Sequence, residues 1–386
     1  MTKPTAAGAK DSGMFQRLRQ TLQVARPRSI TRMQKSIDDV VQAMRVLRVA
    51  VKEQGERDKA IELRQQRDTG ELATRIVEMN ARITELTRMI EVLTLRESQL
   101  RAVAAADAAL QDAFDDLAAV CDEARIIRHV REAVARSPLV LEPLPYLIVP
   151  NVFPSDFYDA LIRGIPPSEL FADKPGNKQQ LKVPLIYGPA YSRAVWKFLV
   201  DVALERSFQP AIVEKFREPL GEWIAREWPQ LASDPLAPPM ELHSTDGRIL
   251  LRGRGYRIQP HRDPKWGFIT VLLYLPRRGD SERWGTQIYA VDEDAPANTI
   301  SPHWIDPARC RLAADVPFRC NTALVFLNSR GAHGASIPDD AEPADLQRFI
   351  YQFRIGPTKA AIEALVTMLP SHRRAEWEGK LIDYLA

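Results

Sequence analysis

At 386 residues, 45% hydrophobic and 27% charged, the chain is long enough for one large domain plus an extension or for two domains, and too apolar to be disordered over most of its length. Lys and Arg number 53 against 50 Asp and Glu, and the net charge of +3 hides an uneven distribution. Cys121, Cys310 and Cys320 form no CxxC pair and argue against a disulfide framework, and no apolar run approaches the ~18 residues of a membrane span.

Residues 1–32 read as a basic tail. Between Ser12 and Ile37 the basic residues Arg17, Arg19, Arg26, Arg28, Arg32 and Lys35 occur with no acidic one, and Met14, Phe15, Leu18 and Leu22 add one apolar stripe. That pattern suits a solvated tail, with contact to an anionic membrane surface as the alternative. Nucleic-acid binding is not expected, because the basic stretch lacks interleaved aromatics and any recognised module. The polar start "MTKPTAAGAKDSG" lacks a secretory h-region, so the expected location is cytoplasmic, peripheral to a membrane if the tail binds lipid.

From 33 to 135 there is no proline, and Arg, Glu, Ala, Leu and Ile dominate, which predicts long helix. Ile76, Met79, Ile83, Leu86, Ile90 and Leu93 keep a strict 4-3 spacing, the seam of a coiled coil. The register slips after Leu93 and resumes as Leu100, Val103, Leu110, Phe114 and Leu117, with Asp107 at an intervening seam position, as a stammer would produce. Ile37, Val41, Met44 and Val51 form a weaker seam before it. A helical bundle turning at Gly55 or Gly70 is the alternative. The narrow stripe and its charged flanks favour a homo-oligomer held by the coiled coil.

Prolines at 138, 143, 145, 150, 154, 166 and 167 mark a boundary, and 138–386 is the second expected domain. "YLIVPNVF" reads as a short strand, "SDFYDALIRGI" as a helix capped by Ser155, and the stretch 192–228 as two further amphipathic helices. From Met240 onward "GRILLRGRGYRIQ", "FITVLLYLP", "GTQIYAV", "NTALVFLNS" and "RFIYQFRIG" are strand-like. Helices followed by a run of strands predict an α+β fold, a double-stranded β-helix (jelly-roll, cupin-like) barrel with supporting helices.

Within "YRIQPHRDPKWG", His261 and Asp263 lie two apart in an extended segment, so both side chains can reach one ion. Such a pair recurs by chance and needs a third ligand. His129 and His372 fall in helical regions and suit surface or packing roles; His243 precedes a turn, and His303 sits in a loop-like insertion. His333 follows the strand-like "NTALVFLNSRGAHGAS", where Gly331, Ala332, Gly334 and Ala335 allow close approach. Two imidazoles and a carboxylate on one face leave coordination positions open, as at non-haem Fe(II). Zinc is chemically compatible, although no general base for hydrolysis stands out. Arg348 and Arg354 stand at strand spacing, so an arginine can project into the barrel and fork a carboxylate. A 2-oxo diacid would then chelate the metal and set its distal carboxylate on that arginine.

On "GYRIQPHRD", "ITVLLYLP" followed by "WGTQIY", "LVFLNSRGAHGAS" and "QRFIYQFRIG", residues from about 143 to 357 resemble the 2-oxoglutarate and Fe(II)-dependent oxygenases of the prolyl-hydroxylase-like branch. The resemblance implies His261, Asp263 and His333 as iron ligands, Arg348 as anchor of the cosubstrate carboxylate, and Tyr256 as a hydrogen-bonding partner of 2-oxoglutarate. It implies Fe(II), 2-oxoglutarate and O2, with ascorbate as an optional reductant, and hydroxylation of an unidentified substrate: a protein side chain such as proline, a sugar or lipid precursor, or a metabolite. Two departures stand out. The polar "IPDDAEPADLQ" lengthens the gap from His333 to Arg348 and keeps Arg354 in play as the anchor, and Arg262 puts a cation between two ligands, where it is expected to face away toward solvent or an anionic substrate. Lys265 and Trp266 fall at the expected rim, with core packing the favoured role for Trp266. The competing reading is a catalytically silent barrel of the same fold, a scaffold or adaptor whose coiled coil mediates protein interaction.

Overall fold

A computed structural model describes residues 28–62, 69–171, 177–264, 266–277, 279–294 and 303–378, so most of the basic tail lies outside the described residues, as does Lys265. The chain divides into two compact units, 1–97 and 98–386. No described helix is long and apolar enough to cross a membrane, and Cys121, Cys310 and Cys320 form no disulfide with one another.

The first unit is helical over Arg28–Glu62 and from Thr69 into the helix Thr69–Ala109. On the second helix Met79, Leu86 and Leu93 are half-buried, while Ile76, Ile83 and Ile90 remain 46%, 43% and 39% exposed. Arg88 reaches Glu85 one turn earlier at 2.8 Å on the outer surface.

The expected helical region over 33–135 differs from the structure at its C-terminal end. Short helices at Gln111–Val120 and Glu123–Arg136 bury Leu117, Ile126, Val130, Ala133 and Val134 in the main core of the second unit. The spacing of Ile126, Val130, Ala133 and Val134 gives a broad face suited to a globular core rather than a two-helix seam. Asp107, which the spacing puts at a seam position, accepts a 2.6 Å hydrogen bond from the backbone N–H of Ala190, the first residue of another helix. It thereby satisfies one of the donors that a helix start leaves without an internal partner.

The second unit is mixed helix and antiparallel sheet. Its strands are β1 (Leu139–Val140), β2 (Tyr146–Pro150), β3 (Lys178–Lys182), β4 (Leu242–Arg252), β5 (Arg257–Arg262), β6 (Ile269–Tyr274), β7 (Thr286–Val291), β8 (His303–Trp304), β9 (Cys310–Val316), β10 (Thr322–Leu327), β11 (Ala332–Ser336) and β12 (Arg348–Pro357). One sheet has the order β1-β2-β10-β6-β12-β4-β3, the other β8-β5-β11-β7-β9. The chain passes from β4 to β5, β6 and β7 by changing sheet each time, and does so again from β9 to β10, β11 and β12. This interleaving of four central strands in each sheet is a jelly roll.

Every residue of β6 and β10 is buried, because the larger sheet is covered on both faces. Ile269, Val271 and Leu273 pack toward the helices, in a cluster with Val195, Trp196 and Phe208. Leu272 and Tyr274 instead join Ile288, Leu324 and Phe326 in a second cluster between the sheets. The helical layer begins with Ser155–Arg163, where Ser155 is the first helical residue and makes no capping bond; Asp156 accepts the N–H of Phe157 instead. Ala190–Phe198 continues through a π-helical stretch, Leu199–Phe208, into Gln209–Lys215, and Arg217–Glu227 follows. After β12 the chain returns to this layer as Lys359–Met368, where the Leu365 carbonyl accepts from Trp228 Nε1 at 3.0 Å.

Candidate metal centre

β5 and β11 are neighbours, and His261 and His333 stand opposite one another across them. Cross-strand partners project from the same face of a sheet, which brings the two imidazoles side by side with ring centroids 4.2 Å apart. Asp263 lies one residue beyond β5, before Pro264, which cannot donate to a strand ladder. Its Oδ1 is 3.9 Å from His261 Nε2 and its Oδ2 is 4.0 Å from His333 Nε2. One ligand atom from each residue falls within 4.8 Å of the others, and all three residues are buried. Gly334 makes the approach of β11 feasible, since a Cβ there would lie 2.9 Å from the Ile258 carbonyl oxygen.

Hydrogen bonds set the state of each donor. His261 Nδ1 donates to the Gln259 carbonyl at 2.8 Å, which leaves the Nε2 lone pair facing the site. Burial, together with the neighbouring His261, pushes His333 down to about 3, so its imidazole is neutral at ordinary pH. Burial acts to raise Asp263, but Arg354, the two histidines and the Thr270 hydroxyl outweigh it and hold the carboxyl well below the usual range. Thr270 Oγ1 donates to Asp263 Oδ2 at 2.5 Å, and Arg354 Nη2 donates to Oδ1 at 3.0 Å. Asn328 Nδ2 braces Thr270 at 2.9 Å and the Gly267 carbonyl at 2.6 Å. Gly267 is needed there, because a Cβ would come within 2.2 Å of Arg354 Cδ. Two imidazoles and an ionised carboxylate aimed at one point fit a divalent first-row metal such as Fe(II).

The two arginines of β12 differ in circumstance although they share a face. Ile350, Gln352 and Arg354 pair with Tyr274, Leu272 and Thr270 of β6, so the alternate residues from Arg348 to Arg354 turn toward the barrel interior. Arg354 meets Asp263. Arg348, at the other end, is 3% exposed and lies over the Phe318 ring at 4.1 Å and the Trp284 ring at 5.4 Å. Its Nη2 donates to the Ser281 carbonyl at 2.8 Å, whereas Nε and Nη1 are buried without a hydrogen-bond partner. Burial lowers this guanidinium to about 10, which leaves it charged. Unmet N–H groups on a buried cation are costly, and a carboxylate is the ligand that would satisfy them. Tyr274, on the same interior face, donates to Thr286 Oγ1 at 2.8 Å and is close enough to Arg348 for each to influence the other electrostatically.

Other expected residues lie elsewhere. Tyr256 packs with Ile337 and Ala341 beneath the Arg252 guanidinium, 4.8 Å from its ring, and none of its described contacts is to the triad. The cause is the 337–347 stretch, which folds back onto the start of β5 instead of standing off as a polar loop: Ile337 N–H donates to the Tyr256 carbonyl at 2.7 Å. Arg262 does not face solvent. It is buried, ion-paired with Asp294, and donates through Nε to the Gly331 carbonyl at 2.7 Å. Asp294 also accepts the Gly331 N–H at 2.6 Å, so one carboxylate ties β5 to the turn before β11. Trp266 is a core residue on the helical side of the sheet. His129 bonds the Asn151 carbonyl at 2.9 Å, His372 is exposed, and His243 is half-buried near the start of β4 with burial lowering its pKa. His303 stands opposite Arg262 in β8, and Trp304 stands opposite His261 with its ring 5.0 Å away. Thr270, Asn328, Gly267 and Tyr274 were not anticipated; the one available signal was Thr270, a polar residue inside the otherwise apolar run "FITVLL".

No family model matches the chain, and no curated protein matches it. Solved structures that it resembles include a prolyl hydroxylase from Trichoplax adhaerens in complex with a hypoxia inducible factor peptide fragment (14% identity, covering 62% of this chain and 93% of that one, TM-score 0.33). A Pseudomonas putida prolyl-4-hydroxylase shares 12% identity over 59% of this chain and 99% of its own, with a TM-score of 0.34. HygX from Streptomyces hygroscopicus, with nickel and 2-oxoglutarate bound, shares 15% over 59% and 87%, also at 0.34.

Proposed function

We propose that the 98–386 unit is a non-haem Fe(II) and 2-oxoglutarate-dependent oxygenase that hydroxylates a substrate still to be identified. The observation that carries this reading is the buried convergence of His261, Asp263 and His333 from the adjacent strands β5 and β11. His261 Nε2, His333 Nε2 and an Asp263 oxygen would hold the metal. When bound, Fe(II) supplies the activation of dioxygen, coupled to decarboxylation of 2-oxoglutarate to succinate and hydroxylation of a C–H bond.

The chain's own contribution is placement and exclusion of water. Arg348 offers two unmet N–H groups to the distal carboxylate of the cosubstrate. Leu272, Ile288, Leu324 and Ile350 line the barrel between the sheets and keep its interior dry. Thr270 and Arg354 fix the orientation of the Asp263 carboxylate, and the Gln259 carbonyl fixes the tautomer of His261.

The test is succinate formation by anaerobically purified, Fe(II)-loaded protein given 2-oxoglutarate and oxygen, beside His261→Ala and Asp263→Ala. Turnover lost in both variants supports the reading. A second reading, a barrel kept as scaffold, is favoured by one observation: Arg354 already pairs with a ligand oxygen of Asp263. Titration of the iron-loaded protein with 2-oxoglutarate separates the two, because a scaffold could hold iron yet would bind no cosubstrate in stoichiometric amount.

A further inference from the structure

The seam of the helix Thr69–Ala109 takes no part in the metal centre, and its isoleucines are exposed. Taking Ile76 as position a of a heptad, Ile83 and Ile90 repeat it, and Met79, Leu86 and Leu93 occupy d. Isoleucine at a with leucine at d is the combination that favours two parallel strands, since each side chain then fits the hole formed by its copy. The isoleucines are 39–46% exposed although the helix Arg28–Glu62 of the same chain is described, and that helix also leaves Val46 and Val49 mostly exposed.

The flanks choose the direction. Positions e are the uncharged Asn80, Thr87 and Thr94; positions g are Arg75, Arg82, Met89 and Arg96. In a parallel, in-register pair each g faces the following e of the other helix, giving Arg75 with Asn80, Arg82 with Thr87 and Met89 with Thr94, and no like charges meet. In the antiparallel pairing that overlaps the same seam, g faces g, and Arg75 meets Arg96 at both ends with no acid at e or g to offset them.

We infer that the 69–97 segment joins two copies of this chain as a parallel, in-register, two-stranded coiled coil. In that pairing the apolar layers are homotypic, Ile on Ile at a and Met79, Leu86 and Leu93 each on its own copy at d, so the partner that fits is an identical helix. Glu85 and Arg88 pair on the outer surface, away from the seam. The inference does not depend on the oxygenase reading.

The full chain should elute in size-exclusion chromatography with light scattering at twice the 43.6 kDa chain mass. Leu86→Asp should return it to the single-chain mass while leaving the thermal unfolding of the 98–386 unit unchanged. Under mild oxidation Ile76→Cys and Ile90→Cys should each form an interchain disulfide within one variant, above the background set by Cys121, Cys310 and Cys320 in the parent. A single-chain mass for the parent, or a trimer or larger assembly, overturns the proposal. So does a dimer in which the two cysteine variants cross-link only when mixed with each other, which would mean antiparallel helices.

Discussion

Arg348 and Arg354 are the same residue type on one face of one strand, yet they predict different losses. Arg348→Met should lower the affinity of the metal-loaded protein for 2-oxoglutarate by roughly 10- to 100-fold, the equivalent of about 1.5–3 kcal/mol for charge-assisted hydrogen bonds. An anaerobic titration measures it; an unchanged affinity, with the loss appearing in Arg354→Met instead, would move the anchor to the other arginine. Thr270→Val keeps the shape but removes the hydroxyl donated to Asp263. Supporting hydrogen bonds of this kind are worth ~10- to 100-fold in metal affinity, readable with Co(II) in place of Fe(II). His333 gives a pH signature in the metal-free protein. Its folded pKa of about 3 lies below the ordinary histidine value, so the unfolded chain takes up a proton that the folded chain refuses. Its contribution is therefore intact above about pH 6.5 and is lost as the pH falls through that value, on the order of 1 kcal/mol between about pH 7.5 and 5.5. Urea midpoints should show this drop, and His333→Gln should flatten it; equal drops in both proteins would count against the assignment.

At the scale of strands and loops, β11 depends on what Gly334 lacks. Gly334→Ala would push a methyl against the Ile258 carbonyl and separate β11 from β5, at a cost of about 1–3 kcal/mol typical of overpacking. Because His333 is adjacent, metal affinity should fall with stability, a coupling that paired denaturation and Co(II) titrations would expose. Which elements could be read in advance follows from their burial. β6, β7, β10 and β12 are dense in β-branched and aromatic residues, and the sequence patterns place them, whereas β4 and β5 show only through the short run "RILLR" and the segment "YRIQ". β9, "CRLAADV", leaves most of its length in contact with solvent and carries little apolar signal, while β8 has two residues and exists only through pairing with β5. The triad was readable because histidine is scarce here and its spacing to Asp263 is local. For the arginines the sequence keeps Arg354 beside Arg348, since residue parity puts both on one face; in the fold Arg354 meets Asp263 and Arg348 meets the Ser281 carbonyl. Likewise "IPDDAEPADLQ" is polar in composition, yet its Ile337 and Ala341 are buried over Tyr256.

At the scale of the whole chain, the boundary drawn from prolines at 138 falls after structure that the barrel unit needs. Ile126, Val130 and Val134 are buried in its core, and each apolar side chain so placed is worth roughly 1.5–3 kcal/mol. A chain beginning at Pro138 should therefore fail to fold, because the loss is comparable to the ~5–15 kcal/mol that holds a domain together, whereas one beginning at Ser98 should melt cooperatively. Circular dichroism of the two distinguishes these outcomes. The position of β5 and β11 inside the five-stranded sheet, with β8 on one side and β7 on the other, bears on how the protein opens. Strands paired along both edges exchange their amide hydrogens only when the sheet comes apart as a unit. The backbone at His261 and His333, paired with a neighbouring strand on both sides, should thus exchange more slowly than that of the edge strand β9, so the two imidazoles keep their places when the rim of the sheet frays.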